Sequence, residues 1–423
     1  MSSFSPKDLT EMSPKEASNE KNLSRVIFLF LTPSSHHNVT HKQTYLSHKK
    51  SLSPALFTKQ QQQTKDKDND KDQRSKMTMK VCVTGANGFI ASHIVKQLLD
   101  EGYIVNGCVR DATNEKKVNH LKEMEDGGTS TTTGRLTLFS TGNLGENENL
   151  ESSSLYDDAI RDCDAIIHAA TPVAFGLKDG KKSIYDPAML STKEILKSIE
   201  RVASKTLKTF VLTSSMSAIA PKPEPKIKTE DCWSDEKLQI EGGRWYDATK
   251  TAQEKFVLEY IKEYTTKEGK APFRFVAICP TLVLGPMLQQ GSVNATMGYL
   301  QHMCKNGNGI DKETGKQNKA SNDSMSFIDV RDTASHHVKA LQDPNAEGRY
   351  MSVTSTSLHW NDIFALLKEL YPLMPNVPDC DDDVLAEPTK FDHTRMNTLN
   401  VNCRNAKEML RDAIEDLKSK GHL

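Results

Sequence analysis

The chain has 423 residues, 36% of them hydrophobic and 26% charged, enough to bury a sizeable core and to build two lobes. Its 55 basic and 56 acidic residues leave a formal net charge of -1, which supplies no basic footprint for nucleic acid. The eight cysteines contain no Cys-x-x-Cys pair, and several sit in apolar runs. They read as reduced core thiols of a cytosolic protein, and no metal site is expected.

Composition changes abruptly near Met77. Residues 1–76 are rich in Ser, Lys, Gln, His and Asp, and the stretch from Gln60 to Lys76 has almost nothing apolar to bury, so a disordered low-complexity tail is expected. Its apolar patch, Val26 to Leu31, is far shorter than the roughly 20 residues a bilayer span needs. Asp8, Glu11, Glu16 and Glu20 precede that patch, unlike a secretory or transit sequence, so no membrane partner is expected.

From Met79 onward strands and helices alternate. Apolar runs predict strands at Lys80 to Thr84, Tyr103 to Val109, Leu136 to Ser140, Ala165 to Ala169, Thr209 to Thr213 and Phe275 to Cys279. Helical spacing is clearest at Phe89 to Asp100, Ala188 to Ala203 and Tyr246 to Tyr264, the last read as amphipathic. This alternation predicts an α/β fold with a doubly wound parallel sheet. Regularity fades after Pro280, through a polar insert at Asn306 to Asn322, and a last helix is expected around Ala406 to Lys418. The predicted organisation is a dinucleotide-binding Rossmann domain at 77–285 and a smaller substrate lobe at 286–423, with a return to the sheet near 325–352.

The first strand runs into Thr84-Gly85-Ala86-Asn87-Gly88-Phe89-Ile90-Ala91, a turn opening the first helix. Gly85 permits the tight turn, Gly88 lets backbone approach a pyrophosphate, and Ala91 keeps helix and strand close. The helix amino terminus then faces the anion, making Thr84, Gly85, Asn87, Gly88, Phe89 and Ile90 cofactor candidates. The second strand ends at Arg110 where an NAD site usually has a carboxylate, and Lys117 follows as a second cation. A guanidinium suits a 2′-phosphate, so NADP(H) is the expected cofactor.

Tyr246 and Lys250 are four residues apart and share a helix face, where an ammonium can stabilise a phenolate and bring a phenol's pKa down from about 10. Ser215, at the end of the fifth strand, is placed to hydrogen-bond a substrate oxygen as charge develops on it. The same spacing occurs at Tyr45 and Lys49, but that copy precedes the glycine turn and has no strand to deliver a serine. Cys232 beside Trp233 reads as a packed loop, with no evident base to activate the thiol.

Taken together these residues resemble the extended short-chain dehydrogenase/reductases of the NAD-dependent epimerase/dehydratase superfamily, in particular the dihydroflavonol reductase and cinnamoyl-CoA reductase branch. The resemblance covers Met79 to Leu423 and includes the glycine turn, Val109-Arg110-Asp111, His168-Ala169-Ala170-Thr171-Pro172, Thr213-Ser214-Ser215, Asp231-Cys232-Trp233-Ser234, Tyr246 to Lys250, Pro280-Thr281-Leu282-Val283, Phe327 to Asp332 and Gly348-Arg349-Tyr350. It implies Ser215, Tyr246 and Lys250 as the catalytic triad, Arg110 and Lys117 on the 2′-phosphate, and Asn143 with Leu144 near the adenine. Ala169, Ala170 and Thr171 belong to the same implied cofactor site, and Pro280, Thr281 and Val283 lie beside the nicotinamide. Ala220 stands where dihydroflavonol reductases often carry Asn, and Arg244-Trp245-Tyr246-Asp247-Ala248 replaces the Asn-Trp-Tyr-Cys-Tyr signature of cinnamoyl-CoA reductases.

The expectation is an NADPH-dependent reductase of an aldehyde or ketone, with Tyr246 as proton donor. Alternatives on the same scaffold are a nucleotide-sugar epimerase, a hydroxysteroid dehydrogenase, or a non-catalytic NADP-sensing protein.

Overall fold

The computed structural model describes residues 79–126, 135–145, 153–172, 179–354 and 357–423. The expected tail and the Tyr45–Lys49 pair lie outside them. Strands in chain order are β1 Lys80–Thr84, β2 Ile104–Val109, β3 Leu136–Ser140, β4 Ala165–His168, β5 Thr209–Thr213, β6 Ile227–Lys228 and β7 Arg274–Pro280. They continue with β8 Leu282–Leu284, β9 Ser324–Met325, β10 Phe327–Asp329, β11 Gly348–Ser352, β12 Leu358–His359 and β13 Lys390–Phe391.

Seven strands form one sheet in the order β11-β7-β5-β4-β1-β2-β3, every neighbouring pair parallel. The strand order reverses between β1 and β4, the switch point at which ligands of open α/β sheets bind. The predicted strands are present with small shifts at their ends: β2 starts at Ile104, β4 ends at His168, and β7 runs on to Pro280. The seventh strand, β11, is a polar pentapeptide too short to give a clear alternation of its own.

Near-continuous apolar runs follow from covering the sheet on both faces. Side chains alternate across each strand, so Val81 and Val83 join Ile94, Leu98, Val105 and Val338 in one buried cluster. Cys82 points the other way, into a cluster with Ile166, Phe210, Ile195 and Val257. A third cluster gathers the carboxyl-terminal part of the chain, with Leu284, Met297, Leu300, Phe327, Trp360, Ile363, Leu410 and Ile414. Three short pairs lie outside the seven-stranded sheet: β8 with β10, β9 with β12, and β6 with β13.

Helix ends follow local chemistry. Asn294 caps the Ala295–Asn306 helix through its side-chain oxygen, and Asp329 caps Val330–Gln342 by accepting from Arg331 N–H at 2.7 Å. Gly269, at φ +74°, ends the 24-residue Trp245–Glu268 helix in a left-handed cap. That helix differs from the amphipathic reading: its amino-terminal half buries Asp247, Thr249, Lys250, Thr251, Gln253 and Glu254. Asp247 and Lys250 line the cavity described next, while Thr251, Gln253 and Glu254 are buried against polar partners, Gln239, Thr192 and Arg349.

Candidate active site

A cavity of about 540 Å³ opens at the carboxyl ends of the central strands. Gly85, Gly88, Phe89 and Ile90 line it from one side, and Ser215, Tyr246 and Lys250 from another. Ala169, Thr171, Pro280, Thr281 and Val283 complete the cofactor candidates on its wall.

The glycine turn has the geometry its residues predict. Gly85 adopts φ +64°, and a Cβ there would lie 3.1 Å from the Ala170 Cα. A Cβ on Gly88 would sit 3.0 Å from the Gly85 carbonyl oxygen. The Phe89–Asp100 helix has no side-chain cap at Gly88 and no acidic residue in its first turn, so its first N–H groups are available to an anion. Gln289 steadies the turn from the distant loop, donating to the Gly88 carbonyl at 2.9 Å and to Ser92 Oγ at 2.8 Å.

Thr84 has a bracing place instead of a ligand-facing one. It is fully buried, and its hydroxyl accepts from the Ala169 and Ala170 N–H groups, each at 3.1 Å, while meeting His168 Nδ1 at 2.8 Å. Asn87 reaches the Lys117 carbonyl at 3.3 Å, which brings these two candidates together. Arg110 is exposed at the end of β2, and Gly142 N–H donates to its carbonyl at 3.1 Å, holding the β2 and β3 loops side by side. Asn143 is exposed and Leu144 half-buried in that second loop. Asp111, the neighbour of unfavourable sign, turns away to accept from the Thr113 N–H and hydroxyl at 2.9 and 2.7 Å.

Ser215 caps a short 3₁₀ turn, its hydroxyl accepting from Ser217 N–H at 3.1 Å. Tyr246 opens the long helix beside it. Burial pushes the phenol up to about 12, the Asp247 carboxylate adds to that rise, and the Ser215 hydroxyl opposes it. Lys250 lies 5.8 Å from the Tyr246 ring centre and gives its hydrogen bonds to Thr171 Oγ1 at 2.7 Å and the Thr213 carbonyl at 2.8 Å. Burial brings this lysine down to about 7. The expectation that the ammonium pulls the phenol below its ordinary value is therefore corrected for the protein alone: burial raises the phenol, and the ammonium gives its hydrogen bonds to Thr171 and Thr213 instead.

Behind the site runs a buried polar chain. Thr171 Oγ1 donates to Gln253 Oε1 at 3.4 Å, Gln253 Nε2 to Thr192 Oγ1 at 2.8 Å, and Thr192 Oγ1 meets His168 Nε2 at 3.3 Å. Lys250 is thus tied through His168 to Thr84 at the glycine turn. A second support lies outside the residues the sequence singles out: fully buried Glu254, one turn beyond Lys250, pairs with Arg349 Nε at 2.7 Å and accepts from the Ser214 hydroxyl. Arg349 also donates to the Glu230 and Ala218 carbonyls, both at 2.8 Å, and stacks 3.8 Å from the Trp233 ring centre. Cys232 belongs to this packed loop, its carbonyl another acceptor for Arg349. The i, i+4, i+8 series Tyr246, Lys250, Glu254 was the available signal for Glu254.

Among the described residues no cluster of His, Cys, Asp and Glu has the arrangement of a metal site, and no helix is long and apolar enough to cross a membrane.

Comparison with known proteins identifies the family. Over 355 residues the chain is 32% identical to cinnamoyl-CoA reductase 1 of Petunia hybrida, covering 83% of this chain and 95% of that one. It is 30% identical over 353 residues to the bifunctional dihydroflavonol 4-reductase/flavanone 4-reductase of Malus domestica, covering 81% and 91%. The crystal structure of yeast methylglyoxal/isovaleraldehyde reductase complexed with NADPH superposes with a TM-score of 0.65 at 25% identity, covering 82% of this chain and all of that one. Residues 81–353 match the model of the NAD dependent epimerase/dehydratase family, and the chain belongs to that family.

Proposed function

We propose that this protein reduces an aldehyde or ketone with NADPH, in the reducing cytosol that its free cysteines suit. The observation that carries the reading is the meeting of Ser215, Tyr246 and Lys250 with the glycine turn around one cavity. Reductases among the similar proteins support it, one of them solved with NADPH.

The residues present fit that cofactor. Gly85 and Gly88 leave room where a Cβ would crowd the turn, the uncapped helix terminus offers N–H donors to a diphosphate, and exposed Arg110 and Lys117 suit a 2′-phosphate. Bound NADPH supplies the hydride. Tyr246 donates its phenolic proton to the carbonyl oxygen as negative charge develops there. A phenol held up at about 12 is fully protonated at neutral pH, the form a reduction needs. Ser215 donates to the same oxygen and orients it. Lys250 offers the phenolate left behind a nearby positive charge, and its links to Thr171 and Thr213 fix its position.

A panel of aldehydes, ketones and NDP-sugars assayed by loss of NADPH absorbance tests the reaction class, and Tyr246→Phe tests the mechanism. That variant keeps the ring and removes the proton donor, so turnover falls by about 10² to 10⁴ while NADPH still binds. Near-normal turnover in Tyr246→Phe, under conditions where chemistry limits the rate, overturns the assignment.

A further inference from the structure

We propose that the end of the cavity formed by Lys228, Ser324, Ser357 and Thr389 binds a carboxylate carried by the carbonyl substrate, so that the preferred substrates are oxo acids. This rests on reading the cavity as the substrate pocket of a carbonyl reductase.

The strand that delivers Lys228 breaks the rule that apolar side chains face inward. In the two-residue strand β6, Ile227 is 53% exposed while Lys228 is 7% exposed and lines the cavity. A one-residue shift of register against β13 would reverse this and bury the isoleucine, the cheaper arrangement if packing alone decided. The observed register sets Lys228 beside Phe391, another cavity-lining residue, and leaves Ile227 beside exposed Lys390. Local choices that cost stability in this way are concentrated at functional sites.

The ammonium is also short of acceptors. It has three donors, and among the described residues Glu224 is its only ion-pair partner. Asp323, the other carboxylate near it, accepts from the Ser324 N–H at 2.7 Å. A buried cation needs acceptors, and the cavity is where they can come from.

Hydroxyl side chains line the same cavity. Ser324 Oγ accepts from Thr389 N–H at 3.2 Å, and Ser357 N–H donates to the Thr389 carbonyl at 3.4 Å, so these three side chains are neighbours on β9 and the segments leading into β12 and β13. Each lines the cavity with Lys228. An ammonium with several hydroxyl donors suits a carboxylate, whose two oxygens accept up to four hydrogen bonds. Tyr246 and Ser215 share the cavity, so one molecule can present its carbonyl to them and its carboxylate to Lys228.

Calorimetric titration of the full chain saturated with NADP⁺, using 4-formylbenzoate and its methyl ester, tests this without turnover. The acid binds about tenfold or more tightly than the ester, the range expected for a charged hydrogen bond. Lys228→Met removes that preference while leaving NADP⁺ affinity in place. Glu224→Gln removes the competing carboxylate and widens the preference. Equal binding of acid and ester by the unaltered protein, no binding of either, or a preference that survives Lys228→Met overturns the proposal. A failure of the reductase reading appears separately, as unchanged turnover in Tyr246→Phe.

Discussion

Asp247, the residue after the proposed proton donor, makes a quantitative prediction about stability. Its side chain lines the cavity and is almost fully buried. Burial pushes its carboxyl from the usual 3.8 up to about 7, with Arg244 Nη1 at 3.6 Å and the Ser217 hydroxyl pulling it down by less. A raised folded pKa means that the native protein holds the proton more tightly than the unfolded chain. The associated stability is fully present below about pH 4 and is lost as pH rises through about 7, the loss being complete about one unit above. A shift of about 3 units corresponds to at most about 4 kcal/mol at 1.36 kcal/mol per unit, of which roughly 2 kcal/mol falls between about pH 5 and about pH 7. Lys250 has the opposite sign in a different window. Its folded pKa is depressed from 10.5 to about 7, so its contribution is present above 10.5 and lost as pH falls through 7. Below about pH 7 the slope therefore belongs to Asp247 and not to Lys250. Asp247→Asn keeps the size and removes the titration. Urea unfolding of the two proteins should show the variant gaining about 2 to 3 kcal/mol relative to the parent between about pH 5 and about pH 8. Parallel stability curves across that range refute the reasoning.

Two further outcomes test the supports of the site. Arg110→Ala should cost roughly 1.5 to 3 kcal/mol of NADPH affinity and little for NADH, measured by fluorescence titration, and equal losses with both cofactors remove Arg110 from the 2′-phosphate. Glu254→Gln leaves the Arg349 guanidinium buried without its carboxylate and should lower unfolding free energy by about 3 to 5 kcal/mol; a loss under about 1 kcal/mol shows that the pair does not hold the helix of Tyr246 and Lys250 in place.

Much of the scaffold is legible in the chain because the signals are local. The run Lys80 to Thr84 ending in Gly85, followed by helical spacing from Phe89, specifies strand, turn and helix within about twenty residues. The parallel sheet follows from repeating that unit, and the positions of Ser215 and Tyr246 follow from their places at the end of β5 and the start of a helix. What stays hidden depends on partners far along the chain. Glu254 looks like an ordinary exposed helix residue until Arg349, 95 positions away, arrives on β11. Gln289 gives no sign that it holds a turn about 200 residues earlier.

The Lys250–Tyr246 pair shows why spacing alone does not settle electrostatics. Four residues on a helix place the two groups on one face, which sequence reasoning predicts, but the acceptors that an ammonium finds depend on the tertiary neighbours. Here the Thr171 hydroxyl, delivered by the β4 loop, and the Thr213 carbonyl at the end of β5 take its hydrogen bonds. Lys228 makes the same point from the other side. Its alternation with Ile227 would place the isoleucine inside on any pattern-based reading, and only the pairing of β6 with β13 brings the lysine in. The fold is thus encoded by periodicity, whereas the chemistry at both ends of the cavity depends on departures from it. Polar residues occupy positions where packing favours apolar ones, and they are tolerated because each has, or lacks only a ligand to have, a specific partner.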